Sequence, residues 1–247
     1  MKKQNSNSIW LYGKHPVFLA LEKKRREISQ ILVTKNSLQE LEKFIEKHKL
    51  FFYKNKIKIV ENSFLNSIVG DVVHQGLALN CSLIPLKSQN ALLDEIQFVK
   101  PHLLIMDQLT DPHNIGAIIR SACAFGFTKI IFCEHNFAKE SAVMNKASSG
   151  MIENVDLFLV GNLNNLLEKL KENDYWCIGL AGESKETITK AKEFKNVALI
   201  IGSEGDGIRK LVKQNCDLLV KIPMLQEVES LNASVAASIA MFEIFKK

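Results

Sequence analysis

Val197-Ala198-Leu199-Ile200-Ile201 runs without a polar residue into Gly202-Ser203-Glu204-Gly205-Asp206-Gly207. A wholly apolar run of this length reads as a strand covered on both faces, and the glycines after it allow a tight turn and close approach to a ligand. Leu103-Leu104-Ile105-Met106, Ile130-Ile131-Phe132-Cys133, Trp176-Cys177-Ile178-Gly179-Leu180 and Leu218-Leu219-Val220-Lys221-Ile222 have the same character. Helical patterns stand between most of them, as at Ile115 to Phe125 and Leu163 to Lys171. This alternation predicts an α/β domain with a mainly parallel sheet and helices on both sides. In such sheets ligands bind beyond the carboxyl ends of the strands. The closing segment, Ser234 to Phe245, is apolar around nearly its whole circumference, which predicts a helix buried in the core or at a subunit interface.

Upstream the elements are shorter and more polar. Helical spacing at His15 to Lys24, a strand at Ile28 to Val33, an amphipathic helix at Leu38 to Lys47, a strand around Ile57 and Ile59, a short helix near Phe64 to Ile68 and a strand at Leu77 to Leu83 make a small α/β unit. Pro85 breaks the pattern. The expected organisation is therefore a small domain over residues 1–85, a linker over 86–100 and a larger domain over 101–247. Charge divides in the same way. Residues 1–90 hold 15 Lys and Arg against 7 Asp and Glu, whereas the other 157 residues hold 17 against 20. Lys23-Lys24-Arg25-Arg26 and Lys54-Asn55-Lys56-Ile57-Lys58 concentrate the excess, and a basic segment beside a near-neutral one points to a polyanion as partner. A lysine-rich solvated surface is the plainer account of the same residues.

A hydrophobic fraction of 47% with 24% charged residues excludes a disordered chain. The five cysteines are scattered without a Cys-x-x-Cys pair, and no His-Glu-x-x-His occurs, so no metal site is expected. Met1-Lys2-Lys3 leads into polar residues rather than the apolar core of a secretory leader. No run approaches the ~18 apolar residues of a membrane span. A reduced, cytoplasmic-type compartment is the expectation.

Three polar segments interrupt the apolar pattern at strand ends. Asp107 to Asn114 leaves the first core strand as a turn, and Asn114 is placed to cap the next helix. Arg120 follows about a turn and a half later among aliphatic residues, where an arginine needs an anionic partner: a structural carboxylate, or the phosphate and ribose oxygens of a substrate. The glycine turn 202–207 fits neither the dinucleotide fingerprint nor the P-loop, and Glu204 within it favours hydroxyl or amine donors over phosphate. Ile222-Pro223-Met224 closes the last strand, and Ser230-Leu231-Asn232 opens the last helix, with Ser230 or Asn232 as its cap.

In order, spacing and nearly every polar residue these segments resemble the three motifs of the SpoU (TrmH) family of S-adenosylmethionine-dependent RNA ribose 2′-O-methyltransferases, over roughly residues 101–247. Tyr12-Gly13-x-His15 and His74-Gln75-Gly76 resemble the RNA-binding domain of its ribosomal-RNA guanosine members. The resemblance implies a deep trefoil knot in the C-terminal domain, one of the exceptions to unknotted topology, and a homodimer packed through the knots. It implies S-adenosylmethionine held mostly by backbone groups at Gly202, Ile222 and Leu231. It also implies a polar catalytic set of Asn114, Arg120, Glu204, Ser230 and Asn232. The expected reaction is methylation of a ribose 2′-hydroxyl, on a guanosine of 23S ribosomal RNA. A transfer-RNA ribose methyltransferase and a non-catalytic RNA-binding or ribosome-assembly protein on the same fold are the alternatives.

Overall fold

The structure is a computed structural model in which residues 8–225 and 227–246 are described. The opening Met1-Lys2-Lys3 lies outside the described residues. In chain order the first elements are β1 (Ser8–Tyr12), α1 (Lys14–Lys23), β2 (Ile28–Val33), α2 (Lys35–Lys47), β3 (Ile57–Ile59), α3 (Asn62–Val69) and β4 (Leu77–Ser82). There follow β5 (Leu86–Ser88), α4 (Gln89–Phe98), β6 (Leu103–Met106), α5 (Pro112–Ala124), β7 (Lys129–Cys133), α6 (Ala142–Ala147) and β8 (Asp156–Val160). The chain closes through α7 (Leu163–Glu172), β9 (Trp176–Leu180), β10 (Val197–Ile201), α8 (Lys210–Gln214), β11 (Leu218–Val220) and α9 (Ala233–Phe245). Two compact units result: Met1–Pro85 with Glu140–Glu153, and Leu86–Lys139 with Asn154–Lys247.

The first unit is a four-stranded sheet in the order β1-β4-β2-β3, antiparallel except for the β2–β3 pair. Alternation sorts its strands onto two cores. Leu11, Ile31, Val33, Leu77 and Leu79 pack with α1 and α2, while Tyr12, Leu32 and Ala78 pack with Leu65 of α3. The segment 140–153 is docked here by a buried charge cluster. Arg26 Nε donates to Glu153 Oε1 at 2.5 Å, and Arg26 Nη2 to Glu140 Oε1 at 2.6 Å and Asn145 Oδ1 at 3.3 Å. Both Arg26 and Glu153 side chains are fully buried, and burial raises the Glu153 pKa even though Arg26 opposes the shift. Removing the cation leaves two carboxylates in the interior, a change that costs about 3–5 kcal/mol in comparable sites. Arg26→Met should therefore lower the urea midpoint of this unit sharply. The variant should regain stability as pH falls: a carboxyl whose folded pKa is raised stabilises the fold below that pKa and ceases to as pH rises through it. A midpoint equal to that of the parent protein at neutral pH would show the cluster to be incidental.

The second unit is a seven-stranded, all-parallel sheet in the order β11-β9-β10-β6-β7-β8-β5. Leu103, Ile105, Ile131, Phe158, Ala198 and Ile200 face the helices α4, α7 and α8. Leu104, Met106, Ile130, Leu199 and Ile201 are buried as well, so both faces are covered, as the apolar strand runs predicted. Helix α9 packs on α5 and β10.

Two expectations are corrected. The sequence led us to expect a linker over 86–100, but Leu86–Ser88 pairs in parallel with β8 as the sheet's edge strand, and α4 buries Leu92 and Ile96 in the core. The short β5 has too few residues for its own periodicity to show. Asn114 does not cap the following helix. Asp111 does, accepting from the His113 and Asn114 amides at 3.2 and 3.1 Å, with Pro112 in the first turn where a missing amide costs nothing. The side chain of Asn114 is thereby free for other partners.

Candidate active site

β6 and β10 lie side by side at the middle of the large sheet, Met106 opposite Ile201. Here the strand order reverses, opening a crevice at the carboxyl ends. Asp107, fully buried at the end of β6, donates its amide to Ile201 O at 2.8 Å. Its carboxylate accepts from the Arg209 amide at 2.9 Å and from Arg209 Nε at 2.7 Å. Burial disfavours the guanidinium's charge, but the Asp107 carboxylate outweighs it and raises the Arg209 pKa. This clasp fixes both ends of the glycine turn. The turn itself is closed by two 3.1 Å bonds exchanged between the backbones of Ser203 and Gly207. It folds back so closely that a Cβ on Gly202 would stand 2.0 Å from the carbonyl carbon of Gly207 and 2.2 Å from the amide of Ile208. Neither backbone atom can yield without reshaping the turn.

Three of the residues singled out in sequence meet at one point. Glu204 Oε1 accepts from Asn114 Nδ2 at 3.0 Å, Asn232 Nδ2 at 2.7 Å and the Ala233 amide at 3.2 Å. Asn232 Nδ2 also donates to Asn114 Oδ1 at 2.9 Å. Asn232 Oδ1 caps α9, accepting from the Ser234 amide at 2.9 Å. A primary amide has two hydrogens and an acceptor oxygen, and every one of these on Asn232 is used. The network thus ties the start of α5, the glycine turn and the start of α9 together. Ser230 is exposed nearby in sequence and makes no hydrogen bond among the described residues.

Arg120 stands apart from this network. It is six residues beyond Asn114, which at ~100° per residue turns it about 120° away on α5. It is exposed, on the outer side with Ala117 and Ala124, and forms no ion pair among the described residues. The structural carboxylate weighed for it in sequence is not there.

A cavity of about 490 Å³ opens beside the glycine turn. Its wall includes Leu180, Gly202, Ile222, Met224, Leu231 and Ala236, and its size suits a small organic ligand. Glu183, Glu204, Asp206 and Glu229 border it, against only Lys213 and Lys221 among the described residues. Glu183 is paired with Lys213 at 2.5 Å, while Asp206 and Glu229 are exposed without an ion pair among the described residues. Such a rim favours a cationic ligand and disfavours a polyphosphate. Sequence reading missed two parts of the site. One is the wall at Leu180-Ala181-Gly182, which follows an apolar strand and so carried a signal. The other is the Asp107–Arg209 clasp, which joins residues remote in sequence.

Cys81, Cys177 and Cys216 have thiols pushed up to about 12 by burial, and Cys123 to about 11, so these are inert packing groups. Among the described residues no group of three His, Cys, Asp or Glu side chains is arranged to hold a metal, and no helix is long and apolar enough to cross a membrane.

With this geometry in place, comparison with known proteins is specific. Residues 101–242 match the model of the SpoU rRNA Methylase family, and residues 10–85 match that of the RNA 2′-O ribose methyltransferase substrate-binding domain. The 23S rRNA (guanosine-2′-O-)-methyltransferase of Xylella fastidiosa is 34% identical over 249 residues, covering 98% of this chain and 98% of that protein. The enzyme of the same name from Escherichia coli is 34% identical over 242 residues, covering 97% and 99%. Among solved structures, the SpoU methyltransferase AviRb from Streptomyces viridochromogenes, in complex with the cofactor AdoMet, superposes with a TM-score of 0.79 at 21% identity over 98% of this chain and 90% of its own. A structure concerned with 2-OH methylation of tRNA has a TM-score of 0.53 at 26% identity and covers 58% of this chain and 93% of its own.

Proposed function

Since the chain belongs to the SpoU rRNA methylase family, we propose that it methylates the ribose 2′-hydroxyl of a guanosine in 23S ribosomal RNA, using S-adenosylmethionine. The observation that carries this reading is the Asn114–Glu204–Asn232 network beside a cavity with an acidic rim. Its surplus of carboxylate fits a ligand that bears a sulfonium and an ammonium group.

When bound, S-adenosylmethionine supplies a methyl group already activated on sulfur. The backbone at Gly202, Ile222 and Leu231 would hold it, and all three residues border the cavity. The network's task is preorganisation: with the glycine turn and the start of α9 tied together, the walls do not have to be ordered again at each turnover. Asp206 and Glu229 offset the ligand's positive charge. Arg120, unpaired and exposed, is available to the RNA, where its planar fork suits phosphate and a developing 2′-alkoxide. A guanidinium does not give up its proton, so Arg120 is an electrostatic stabiliser rather than a base. The hydroxyl proton leaves to a neighbouring phosphate oxygen or to water.

The knot implied by the family fold fits the way the glycine turn, Ile222, Met224 and Ser230 to Asn232 share one cavity wall. A homodimer belongs to the same reading. α9 leaves Val235, Phe242 and Phe245 exposed, and Phe125, the residue after α5, lies against both phenylalanine rings at 5.6 and 5.9 Å. A second copy of the chain would cover this apolar face. A ribosomal RNA substrate also implies a cytoplasmic enzyme.

Transfer RNA is the weaker substrate, because the tRNA-directed neighbours cover 58% and 64% of this chain while the rRNA-directed relatives cover 97–98% of it. A non-catalytic RNA binder would have no use for so complete a network. Incubation with radiolabelled S-adenosylmethionine and either 23S ribosomal RNA or transfer RNA decides among the three. Label is expected in the ribosomal RNA at a 2′-O-methylguanosine. Label in transfer RNA alone, or in neither, would overturn the reading.

The cavity itself can be tested without RNA. Gly202→Ala should force the turn open, because the added methyl meets backbone on two sides. We expect cofactor affinity to fall by about tenfold or more, the equivalent of at least ~1.4 kcal/mol, with the protein still folded. Calorimetry giving the parent affinity would remove the turn from the binding site.

A further inference from the structure

The first unit carries a group of aromatic rings that its own core does not use. Phe51, Phe52 and Phe64 are 51%, 55% and 41% exposed, although all three lie within 14 residues of one another in a domain whose other large apolar side chains are mostly inside. Each has an ammonium group over its ring: Lys54 Nζ lies 5.3 Å from the Phe51 centroid, Lys24 Nζ 5.4 Å from Phe52, and Lys58 Nζ 5.3 Å from Phe64. The rings bracket β3, the edge strand of the small sheet: Phe51 and Phe52 lie in the 3₁₀ turn Phe51–Lys56 before it, and Phe64 in α3 after it. Between residues 47 and 60 there are five lysines and no acidic residue. An open groove of about 440 Å³ lined by Lys35, Lys58, Ile59, Glu61 and Phe64 runs along the same edge.

Lysines on an edge strand also keep other strands from adding to it, which would account for Lys54, Lys56 and Lys58 by themselves. It would not account for three exposed phenylalanines in the elements on either side of one edge strand. A protein partner with an apolar face would be repelled by the cost of burying so many ammonium groups. Duplex RNA presents phosphate and hydroxyl groups but no free base face. Unpaired nucleotides have both required chemistries: base faces that stack on aromatic rings, and a phosphate at each step for the lysines. Building on the reading of this protein as an RNA methyltransferase, we propose that Phe51, Phe52 and Phe64 with Lys24, Lys54 and Lys58 form a stacking platform for single-stranded RNA along β3. The platform selects substrates with an unpaired stretch flanking the target nucleotide.

The test is binding of the full-length protein to a fluorescent single-stranded RNA oligonucleotide and to a duplex of equal length, each measured over a range of salt. Phe51→Ala, Phe52→Ala and Phe64→Ala should each weaken single-strand binding by about tenfold, with the salt slope and duplex binding unchanged. Lys54→Gln with Lys58→Gln should instead reduce the single-strand salt slope by about 1.4, because fewer counterions are released. The rings are on the surface, so the variants are expected to fold, and unchanged cofactor binding by calorimetry verifies that. Single-strand affinity that survives the triple phenylalanine replacement would overturn the platform. Equal losses on single strand and duplex would also overturn it. Because the readout is oligonucleotide affinity, it stands apart from the reaction: a parent protein that binds through these rings yet methylates no RNA contradicts the activity and not the platform.

Discussion

Arg120→Ala should lose methyl transfer by about a hundredfold to a thousandfold while keeping its cofactor. A magnitude of this size is typical for deletion of one preorganised group that stabilises transition-state charge. The two readouts separate because of where the side chain stands. Arg120 is exposed on the outer side of α5, about 120° round the helix from Asn114, and is absent from the residues bordering the cavity. It therefore has little to contribute to holding S-adenosylmethionine and much to contribute to a phosphodiester or alkoxide arriving from outside. Arg120→Lys tests the same point more finely. It keeps the charge but not the planar fork, so activity should return in part. Calorimetry showing that Arg120→Ala no longer binds cofactor would assign the residue to the cofactor site instead, and turnover near that of the parent would remove it from catalysis.

The fold was legible where the physics is local. A parallel strand buried on both faces has to be apolar throughout, so β6, β7, β9, β10 and β11 stand out as uninterrupted runs. The small domain's helices and strands follow from ordinary periodicity. What could not be read depends on distant partners. β5 is a three-residue strand only because β8, some 70 residues later, offers it an edge. Likewise, nothing local marks Glu140–Glu153 as part of the first unit. Its attachment is the buried meeting of Arg26 with Glu140 and Glu153, more than 110 residues away. This finding changes how the basic unit can be tested, since deleting residues 1–85 would strip those carboxylates of their cation and damage more than RNA binding.

The site divides along the same line. Asn232 as a helix cap was readable from its place before an apolar helix, and the glycine turn from its place after an apolar strand. That Asn114, Glu204 and Asn232 hydrogen-bond to one another was implied only by their joint membership of a family motif. Their separations in sequence, 90 and 28 residues for the bonds that Glu204 accepts, put the contact beyond any spacing rule. Asp107 opens the bend after β6, as read in sequence, but what its carboxylate binds could not be read there. Its real partner, Arg209, becomes visible only once β6 and β10 are neighbours.

Phe242→Asp should cost both assembly and activity. α9 turns Ala237, Ala240, Met241 and Ile244 inward and leaves Phe242 44% exposed beside Phe245, so the helix has a second apolar side that the described residues cover only in part, through Phe125. Ile239 of the same helix is half-buried within the chain, so an aspartate there would confound assembly with folding. Phe242 is the cleaner choice. An aspartate at Phe242 would have to be desolvated if a second copy packs over α9, together with the Lys246 ammonium that lies 5.8 Å from the Phe242 ring, a cost of several kcal/mol that a dimer of ordinary affinity does not survive. The link to activity runs through the two ends of the same structure. Asn232 caps α9 and holds Glu204, and α9 is braced on α5 by the 2.7 Å bond between Ser238 and Ser121, one residue from Arg120. A dimer clamping α5 and α9 would therefore steady the cap, the glycine turn and the helix that carries Arg120. Sedimentation should find Phe242→Asp as a folded monomer with unaltered helix content, and the methyl-transfer assay should find it nearly inactive. A monomer with full activity would mean that each chain is a complete enzyme and that the exposed face of α9 serves another purpose.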